Sequence, residues 1–383
     1  RQMCIRDSIK VETKDPDLYP KFTSQYTDQT VAANSVIVVC GDKSKVVSNS
    51  DMWETSTNYQ TYQTQTTGFD GEGQITSAIT YVTSENNPKV YWVTGHGEAS
   101  ESDLSTNFSD AINKNNVEIS DLALMTDDIP EDAEELVIMS PTTDFSEDEA
   151  NKVITYLENG GKLLMFTSYT GTDMPNLDSI LENYGVKRSS GIVVETDSQH
   201  YYPQMPYYLL PNIQSDDITT EVKSNYILMP VAQAIQKLDS YRDTITIKSL
   251  LTTTEDAYIE NDPENSTWSK SADSETGAFD LGVSITETVD DKETQIIYFS
   301  SASMLSSQID QAISGANSKL AATALTSMCD VEQTVVIPSK STSYTNLVFT
   351  QGAVNTWSII IIAGIPLVLV VIGVMIWMKR RKQ

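Results

Sequence analysis

The chain has 383 residues, and its 53 Asp and Glu against 25 Lys and Arg leave a net charge of −28. This charge argues against a nucleic-acid-binding protein, because phosphate recognition needs a basic surface. With 2 His and 3 Cys, the chain offers almost no ligands for a His- or Cys-built metal site and too few cysteines for a disulfide-stapled scaffold. Neither a metal nor any other cofactor is therefore expected.

The first part of the chain predicts a small α/β unit over residues 9–70. Residues 1–8 read RQMCIRDS, which resembles a translated sequencing adapter, so this leader is left out of the fold prediction. An apolar run at 35–40, a Gly-Asp pair and a second run at 43–47 predict a β-hairpin. Residues 55–67 are rich in Thr, Gln and Tyr without hydrophobic periodicity, which predicts a linker.

From residue 71 the pattern alternates between helix and strand, and it predicts an α/β domain over 71–330. Short β-branched runs are separated by segments with apolar residues at helical spacing, such as the helix opened by the Ser146–Glu149 capping box. This alternation is typical of a mostly parallel, doubly wound sheet with helices on both faces. The predicted strands are 89–94, 117–124, 136–139, 162–167, 191–195, 244–253, 279–286 and 295–299.

Residues 331–356 are interpreted as a stalk that leads to a membrane-spanning helix over 357–378. This stretch contains 22 residues without a charge, enough to cross a hydrocarbon layer of about 30 Å, whereas a buried core helix is the alternative interpretation. Trp357 and Trp377 lie near its two ends, where aromatic rings favour the membrane interface.

The basic residues that follow the span predict its orientation. Lys379, Arg380, Arg381 and Lys382 belong to a short tail over 379–383, and the positive-inside bias places this tail in the cytoplasm. The rest of the chain then lies outside, as a single-pass protein of the cell membrane. Without the four basic tail residues it carries 21 basic against 53 acidic residues, a net charge of −32. Because an outer domain needs an export signal, we expect a signal or membrane helix to precede this fragment.

The most distinctive short segment is Gly95-His96-Gly97-Glu98, directly after the predicted strand 89–94. Open α/β sheets bind ligands at the carboxyl ends of their strands, so these residues are a candidate ligand site. A His and a Glu two residues apart could serve in acid–base chemistry, but the sequence shows no companion group. A structural or ligand-orienting role is therefore the favoured interpretation, and catalysis is the alternative.

Other catalytic and phosphate-binding motifs are missing from the sequence. There is no G-x-S-x-G elbow and no G-x-x-x-x-G-K-[ST] loop, so neither triad hydrolysis nor ATP hydrolysis by a P-loop is predicted. The pairs Asp127-Asp128 and Asp290-Asp291 lack the spacing of a Ca²⁺ loop and are interpreted as solvated acidic surface.

A loop rich in Tyr and Pro is the best candidate for binding a partner or a glycan. Residues 200–211 read HYYPQMPYYLLP, and tyrosine rings on an exposed loop can stack on sugars or on a protein surface. The alternative is a loop packed over its own core. The candidate side chains are Tyr201, Tyr202, Tyr207 and Tyr208.

Several segments together resemble the gliding-motility-type ABC transporter auxiliary proteins (the Gldg family). The resemblance spans nearly the whole chain, and VYWVTGHGE with the helix ended by Gly160-Gly161 is its most specific part. The similar segments are DPDLYPKFTSQY, NSVIVVCGDKSKVV, GEGQITSAITYVTS, VYWVTGHGE, IPEDAEELVIMSPTTDFSEDEANKVITYLENGGKLLM and IPLVLVVIGVMIWMKRRK.

The resemblance implies a fold and a set of partners. It implies that the central domain is similar to the class I glutamine-amidotransferase-like fold and that the chain works beside an ABC ATPase and a multi-span permease. It carries over no catalytic residue. The opening unit resembles half of a thioredoxin-like fold but lacks C-x-x-C, so redox chemistry is not implied.

Three functions follow from these observations. The favoured one is a non-catalytic, membrane-anchored extracytoplasmic subunit of an ABC transporter, which binds a substrate or organises the permease. A membrane-anchored envelope hydrolase using His96 and Glu98 is the second. A carbohydrate-binding surface module using the Tyr loop is the third.

Overall fold

The structure is a computed structural model, and its described residues form two compact units. The first unit comprises the described residues up to Asn87, with Lys114–Asn116, Ile337 and Lys340–Ser341, and the second comprises the rest. The predictions for residues 1–8, for Lys382 and for most of the stalk lie outside the described residues. The described residues are 9–15, 18–19, 21–27, 30–58, 63–84, 87–264, 267–329, 337, 340–341 and 349–381.

The first unit contains the predicted hairpin. β1 (Val36–Cys40) pairs antiparallel with β2 (Lys43–Val47) around a turn in which Gly41 has a φ of 59°, which confirms this prediction. The helix α1 (Gly71–Thr83) packs Ala78 against a small core. It belongs to the first unit, whereas the sequence interpretation started the second domain at residue 71.

The predicted linker at 55–67 is wrong where the structure describes it. β3 (Trp53–Asn58) and β4 (Gln63–Phe69) pair antiparallel, and β19 (Lys340–Ser341) adds a third strand within the predicted stalk. The strands lack hydrophobic alternation, but Thr favours extended backbone and supplies much of their sequence. The rings of Trp53 and Phe69 lie 4.8 Å apart at one end of the β3–β4 pair.

The second unit is built on one large mixed sheet covered by helices. Its helices are α2 (Thr106–Lys114), α3 (Glu147–Glu158), α4 (Pro175–Asn183), α5 (Ser307–Ala312) and α6 (Ala316–Met328). Its strands are β5 (Lys89–Val93), β6 (Glu118–Leu122), β7 (Glu135–Met139), β8 (Lys162–Phe166), β9 (Val186–Val194), β10 (Tyr201–Tyr202), β11 (Met205–Leu209), β12 (Asn212–Ile213), β13 (Met229–Pro230), β14 (Gln233–Lys237), β15 (Ile245–Thr252), β16 (Tyr258–Glu260), β17 (Asp280–Val289) and β18 (Lys292–Phe299). Short 3-10 helices occupy Thr23–Gln25, Ser50–Met52, Glu101–Asp103, Thr220–Val222 and Ala302–Leu305.

The parallel part of this sheet has the strand order β6-β5-β7-β8-β18. The inner strands β7 and β8 are buried on both faces, which explains their continuous apolar sequences, whereas the edge strand β6 is mostly exposed. Val90 and Trp92 share a core with Phe108 of α2 and with α6. The alternate residue Val93 shares the opposite core with Val153 of α3 and with α4. The doubly covered α/β sheet of the sequence prediction is therefore present.

Antiparallel strands extend the sheet beyond β18. β17 and β18 form a hairpin whose two turn residues, Asp290 and Asp291, have φ values of 49° and 62°. β14 and β15 both pair with β17, and β9 pairs with β14 and β16. The described residues between β9 and β18 contain no α-helix to serve as a crossover, so these strands pair antiparallel rather than parallel.

The C-terminal segment is one long helix that is apolar enough to cross a membrane. It spans Gln351–Arg381, 31 residues, and an 18-residue window within it has a mean hydropathy of 3.2. α7 (Gln351–Ile359) and α8 (Ile365–Arg381) are joined by a π-helical turn, Ile360–Gly364. Pro366 lacks an amide hydrogen and crowds the preceding turn, and the wider π turn accommodates it.

The residues predicted to anchor the span lie at its ends. The Trp357 and Trp377 side chains are exposed, and Lys379, Arg380 and Arg381 form the last helical turn. The Arg381 guanidinium lies 5.3 Å from the Trp377 ring centroid, a cation–π geometry. The helix therefore ends with aromatic and basic side chains, as expected for a span that stops at a membrane interface.

The hairpin turn at Asp290-Asp291 provides a test of the fold. Both residues adopt positive φ, so Asp291→Gly should raise the free energy of unfolding by up to about 1 kcal/mol, measured by urea unfolding of the detergent-solubilised chain. Asp243, an exposed turn residue without a positive φ, is the control, and its change to Gly should lower stability. A loss of stability in Asp291→Gly equal to that in Asp243→Gly would contradict this turn.

Candidate functional site

The Gly95–Glu98 segment lies where the chain direction along the sheet reverses. β5 has β6 on one side and β7 on the other, so the loops after β5 and β7 leave the sheet beside each other. Open α/β sheets bind ligands in the crevice at such a switch point. The loop after β5 carries His96, and the loop after β7 carries Thr142 and Thr143.

Two buried carboxylates hold the imidazole of His96. Its Nδ1 lies 3.1 Å from Glu98 Oε1, and its Nε2 lies 3.3 Å from Glu149 Oε2. His96 is 4% exposed, and its ring packs 4.2 Å from that of Phe145. The sequence interpretation found no companion for His96, and the structure supplies Glu149 as the missing one.

The carboxylate of Glu149 also caps α3. Its Oε2 accepts hydrogen bonds from the Ser146 amide and hydroxyl, at 2.9 and 2.7 Å, and the Glu149 amide donates to Ser146 Oγ. Burial raises the pKa of Glu149, but the Ser146 hydrogen bonds and the nearby imidazole outweigh it, so the pKa is lowered overall. The capping box predicted from the sequence is confirmed, and it also binds the loop after β5.

Both ring nitrogens of His96 lie within hydrogen-bonding distance of a carboxylate. A neutral imidazole has one donor and one acceptor nitrogen, whereas both nitrogens of His96 face carboxylate oxygens. The three side chains therefore stabilise one another, and removing any one leaves a buried charge without compensation.

The backbone of the same loop closes the crevice. The carbonyl oxygen of His96 accepts hydrogen bonds from the amides of Thr142 and Thr143, at 2.8 and 3.0 Å. A Cβ at Gly97 would overlap Thr142 Oγ1, and Gly97 has a φ of 77°. Gly95 has a φ of 124° with open space around its Cα, so it serves backbone conformation alone. Both glycines allow the two loops to meet.

This arrangement favours a structural role for the segment. The ring nitrogens of His96 both face internal carboxylates, so neither is directed toward a ligand in solvent. Across the described ranges, no group of three His, Cys, Asp or Glu side chains is placed to hold a metal ion. The sequence could not reveal the Glu149 contact, because it depends on β7 lying beside β5.

The Tyr loop forms a small hairpin of β10 and β11 that also pairs with β13. All four candidate tyrosines are partly buried, which lies between an exposed loop and a loop packed over its own core. They are Tyr201, Tyr202, Tyr207 and Tyr208. The Tyr207 ring lies 4.4 Å from that of Trp268 and 5.4 Å from that of Tyr208. In the strand order β10-β11-β13, β10 is an edge strand.

Removal of the His96 ring tests the cluster. His96→Ala leaves Glu98 and Glu149 buried without their shared partner and should lower the free energy of unfolding by about 3–5 kcal/mol. The measurement is urea unfolding of the full chain in detergent, followed by near-ultraviolet circular dichroism. His200, which makes one hydrogen bond to the Leu210 carbonyl, is the control, and its change to Ala should cost about 1 kcal/mol or less. Equal losses would contradict the buried cluster.

The lowered pKa of Glu149 predicts a specific dependence on pH. As the pH falls, the unfolded chain binds a proton at this position before the folded chain does, so the stability from the Glu149 charge is present above about pH 4.3 and lost below it. The stability difference between the wild-type chain and Glu149→Gln should therefore shrink on acidification.

Glu147 supplies the control for this titration. It is exposed in the same helical turn, and Glu147→Gln should change the stability by less than about 0.5 kcal/mol. A Glu149→Gln difference that stays constant down to strongly acidic pH would contradict the assigned direction of the shift.

Three solved structures are similar to the chain at low sequence identity. The mmIFT52 N-terminal domain has a TM-score of 0.46 at 15% identity, and the match covers 63% of this chain and 96% of that domain. A ThuA-like protein from Parabacteroides merdae has a TM-score of 0.38 at 12% identity, with 70% and 99% covered. The exo-beta-1,4-mannosidase Op5Man5 from an Opitutaceae bacterium has a TM-score of 0.32 at 10% identity, with 66% and 37% covered. No curated protein sequence matches the chain.

A family model covers most of the second unit. The model described as an ABC-type uncharacterized transport system matches residues 87–327, from the start of β5 through β18 and into α6. The match confirms the resemblance to ABC transporter auxiliary proteins that the sequence segments indicated. The chain belongs to the family of the ABC-type uncharacterized transport system.

Proposed function

We propose that the chain is a membrane-anchored auxiliary subunit of an ABC transporter of the gliding-motility type, with its globular part outside the cytoplasm. The family match over residues 87–327 carries this proposal, because it assigns the whole central sheet to an ABC transport system. The C-terminal helix supports it, since a helix of this length and hydropathy suits a single membrane span.

The charges support the proposed orientation. Lys379, Arg380 and Arg381 in the last turn of α8 favour the cytoplasmic side of the membrane. Anionic headgroups would repel the acidic remainder of the chain, which favours an orientation that turns its acidic surface away from the lipid. An ATPase would then lie across the membrane, and a multi-span permease is the partner within reach.

The geometry at the switch point supports a non-catalytic role. In the hydrolase interpretation His96 would act as a base, yet both of its ring nitrogens face the carboxylates of Glu98 and Glu149. The crevice in which a substrate would sit is bridged by hydrogen bonds from Thr142 and Thr143. A subunit of this kind contributes surfaces for binding and assembly, and the ATPase supplies the energy of transport.

The finer description of the fold is part of the same proposal. The parallel order of β6, β5, β7 and β8, with helices on both faces, supports a class I glutamine-amidotransferase-like core. The first unit combines the β1–β2 hairpin with α1, which supports a partial thioredoxin-like unit. We propose that the first unit and the sheet are separate domains of the auxiliary subunit.

Affinity purification from the native membrane tests this function. The tagged full chain should co-purify with an ABC ATPase and a multi-span permease, identified by mass spectrometry. The control places two charges in the middle of the span, in the double variant Val370→Arg with Val371→Arg, which should lose both partners because each Arg costs about 2.5–3.5 kcal/mol on insertion. Wild-type preparations that contain neither partner would contradict the proposal.

A further inference from the structure

The start of the C-terminal helix is hydrogen-bonded to the Tyr hairpin and to the loop that leads into it. The Gly352 amide donates to the Ser198 carbonyl at 2.7 Å, and the Gln204 amide at the hairpin turn donates to Gln351 Oε1 at 2.9 Å. Thr350 caps α7 through the Ala353 amide, and its hydroxyl donates to Gln199 Oε1 at 3.0 Å. These contacts lie within the second unit and join residues about 150 positions apart in sequence.

A glycine makes this close approach possible. A Cβ at Gly352 would overlap the Gln199 side-chain amide, so any larger residue would displace that amide from the helix start. Elsewhere on the same helix, Gly373 has open space around its Cα. The contact between the helix start and the hairpin is therefore specific to the first turn of α7.

This contact sets the height of the hairpin above the membrane. Trp357 lies six positions after Gln351, and at 1.5 Å per residue this is about 9 Å along the helix axis. The headgroup layer on each side of the hydrocarbon is about 5–7.5 Å thick. With Trp357 at the inner margin of that layer, the turn of the hairpin lies about 1.5–4 Å beyond its outer margin, a distance that a side chain can bridge.

The hairpin has the composition of a surface that meets lipid headgroups. Residues 198–215 contain no Asp, Glu, Lys or Arg, although the chain as a whole is strongly acidic. Met205, directly after the turn, is 38% exposed, and the four tyrosines flank it. Tyr rings favour the interface between water and hydrocarbon, and an uncharged segment avoids the repulsion that the acidic surface meets there.

We propose that the hairpin Tyr201–Leu209 rests on the lipid headgroups beside the span and fixes the orientation of the globular unit on the membrane. The inference rests on the proposed membrane anchorage and adds to it a second contact with the bilayer. This proposal assigns to lipid the same Tyr loop that the sequence analysis considered for binding a glycan or a partner.

Fluorescence quenching by labelled lipid tests the contact. The full chain, with Cys4 and Cys40 changed to Ser and the buried Cys329 kept, receives one fluorophore at Met205→Cys and is reconstituted in phosphatidylcholine vesicles with nitroxide headgroups. Quenching should be at least about twofold stronger than for a fluorophore at Val289→Cys, an exposed position in the β17–β18 hairpin. Adding Gly352→Val should lower the quenching at Met205→Cys, whereas adding Gly373→Val should leave it unchanged.

The outcomes separate this contact from the anchorage itself. Chains that fail to float with the vesicles would contradict the anchorage, and with it the proposed function. Chains that float but show equal quenching at both positions would overturn the hairpin contact alone. A third outcome combines two results: the fluorophore stays unquenched in vesicles, and the same position cross-links to a permease in native membranes. That outcome would assign the surface to a protein partner and would also overturn the lipid contact.

Discussion

The buried group of Glu98, His96 and Glu149 joins the loop after β5 to the start of α3. His96 follows β5, Glu149 opens α3 after β7, and the hydrogen bonds between them cross the point where the strand order reverses. A buried charge network of this kind is stable only when it is complete, so it forces the two loops into one arrangement. At this switch point, where open α/β sheets bind ligands, the His96 ring instead contacts two carboxylates of the protein itself.

The loops after β5 and β7 meet closely at the carboxyl ends of the parallel strands. The parallel strands still present their carboxyl ends on one edge, but a Cβ at Gly97 would overlap Thr142 Oγ1 there, so this position has no room for a side chain. What remains are the outer surfaces of the second unit. One of them, the β10–β11 hairpin, is tied to the start of the C-terminal helix, so the sheet and the span are connected through a defined set of hydrogen bonds.

The parts of the fold that could be predicted depend on local patterns. The β1–β2 hairpin, the parallel strands β5, β7 and β8, the capping box of α3 and the apolar helix each have a signal within a few residues. β3 and β4 were missed because their sequences show no hydrophobic alternation. The antiparallel extension could have been suspected from Asp290-Asp291, since paired Asp residues tolerate the positive φ of a hairpin turn.

The candidate site was only half predictable for a different reason. The glycines around His96 marked a special turn, but the Glu149 contact bridges 53 residues and requires the order of β5 and β7. Likewise, nothing near Tyr201 indicates that Gln351 lies beside its hairpin. Such contacts follow from topology, which hydrophobic periodicity does not specify.

Chemical modification of the two histidines tests the closed site most directly. Diethyl pyrocarbonate reacts with accessible imidazole nitrogens, and His96 and His200 are the two histidines of the chain. The folded protein should be modified at His200, whose side chain is 27% exposed, while His96, whose side chain is 5% exposed and bound by two carboxylates, should stay unmodified until the chain unfolds. Equal rates of modification at both, read by mass spectrometry, would contradict the closed site and restore an open, reactive imidazole.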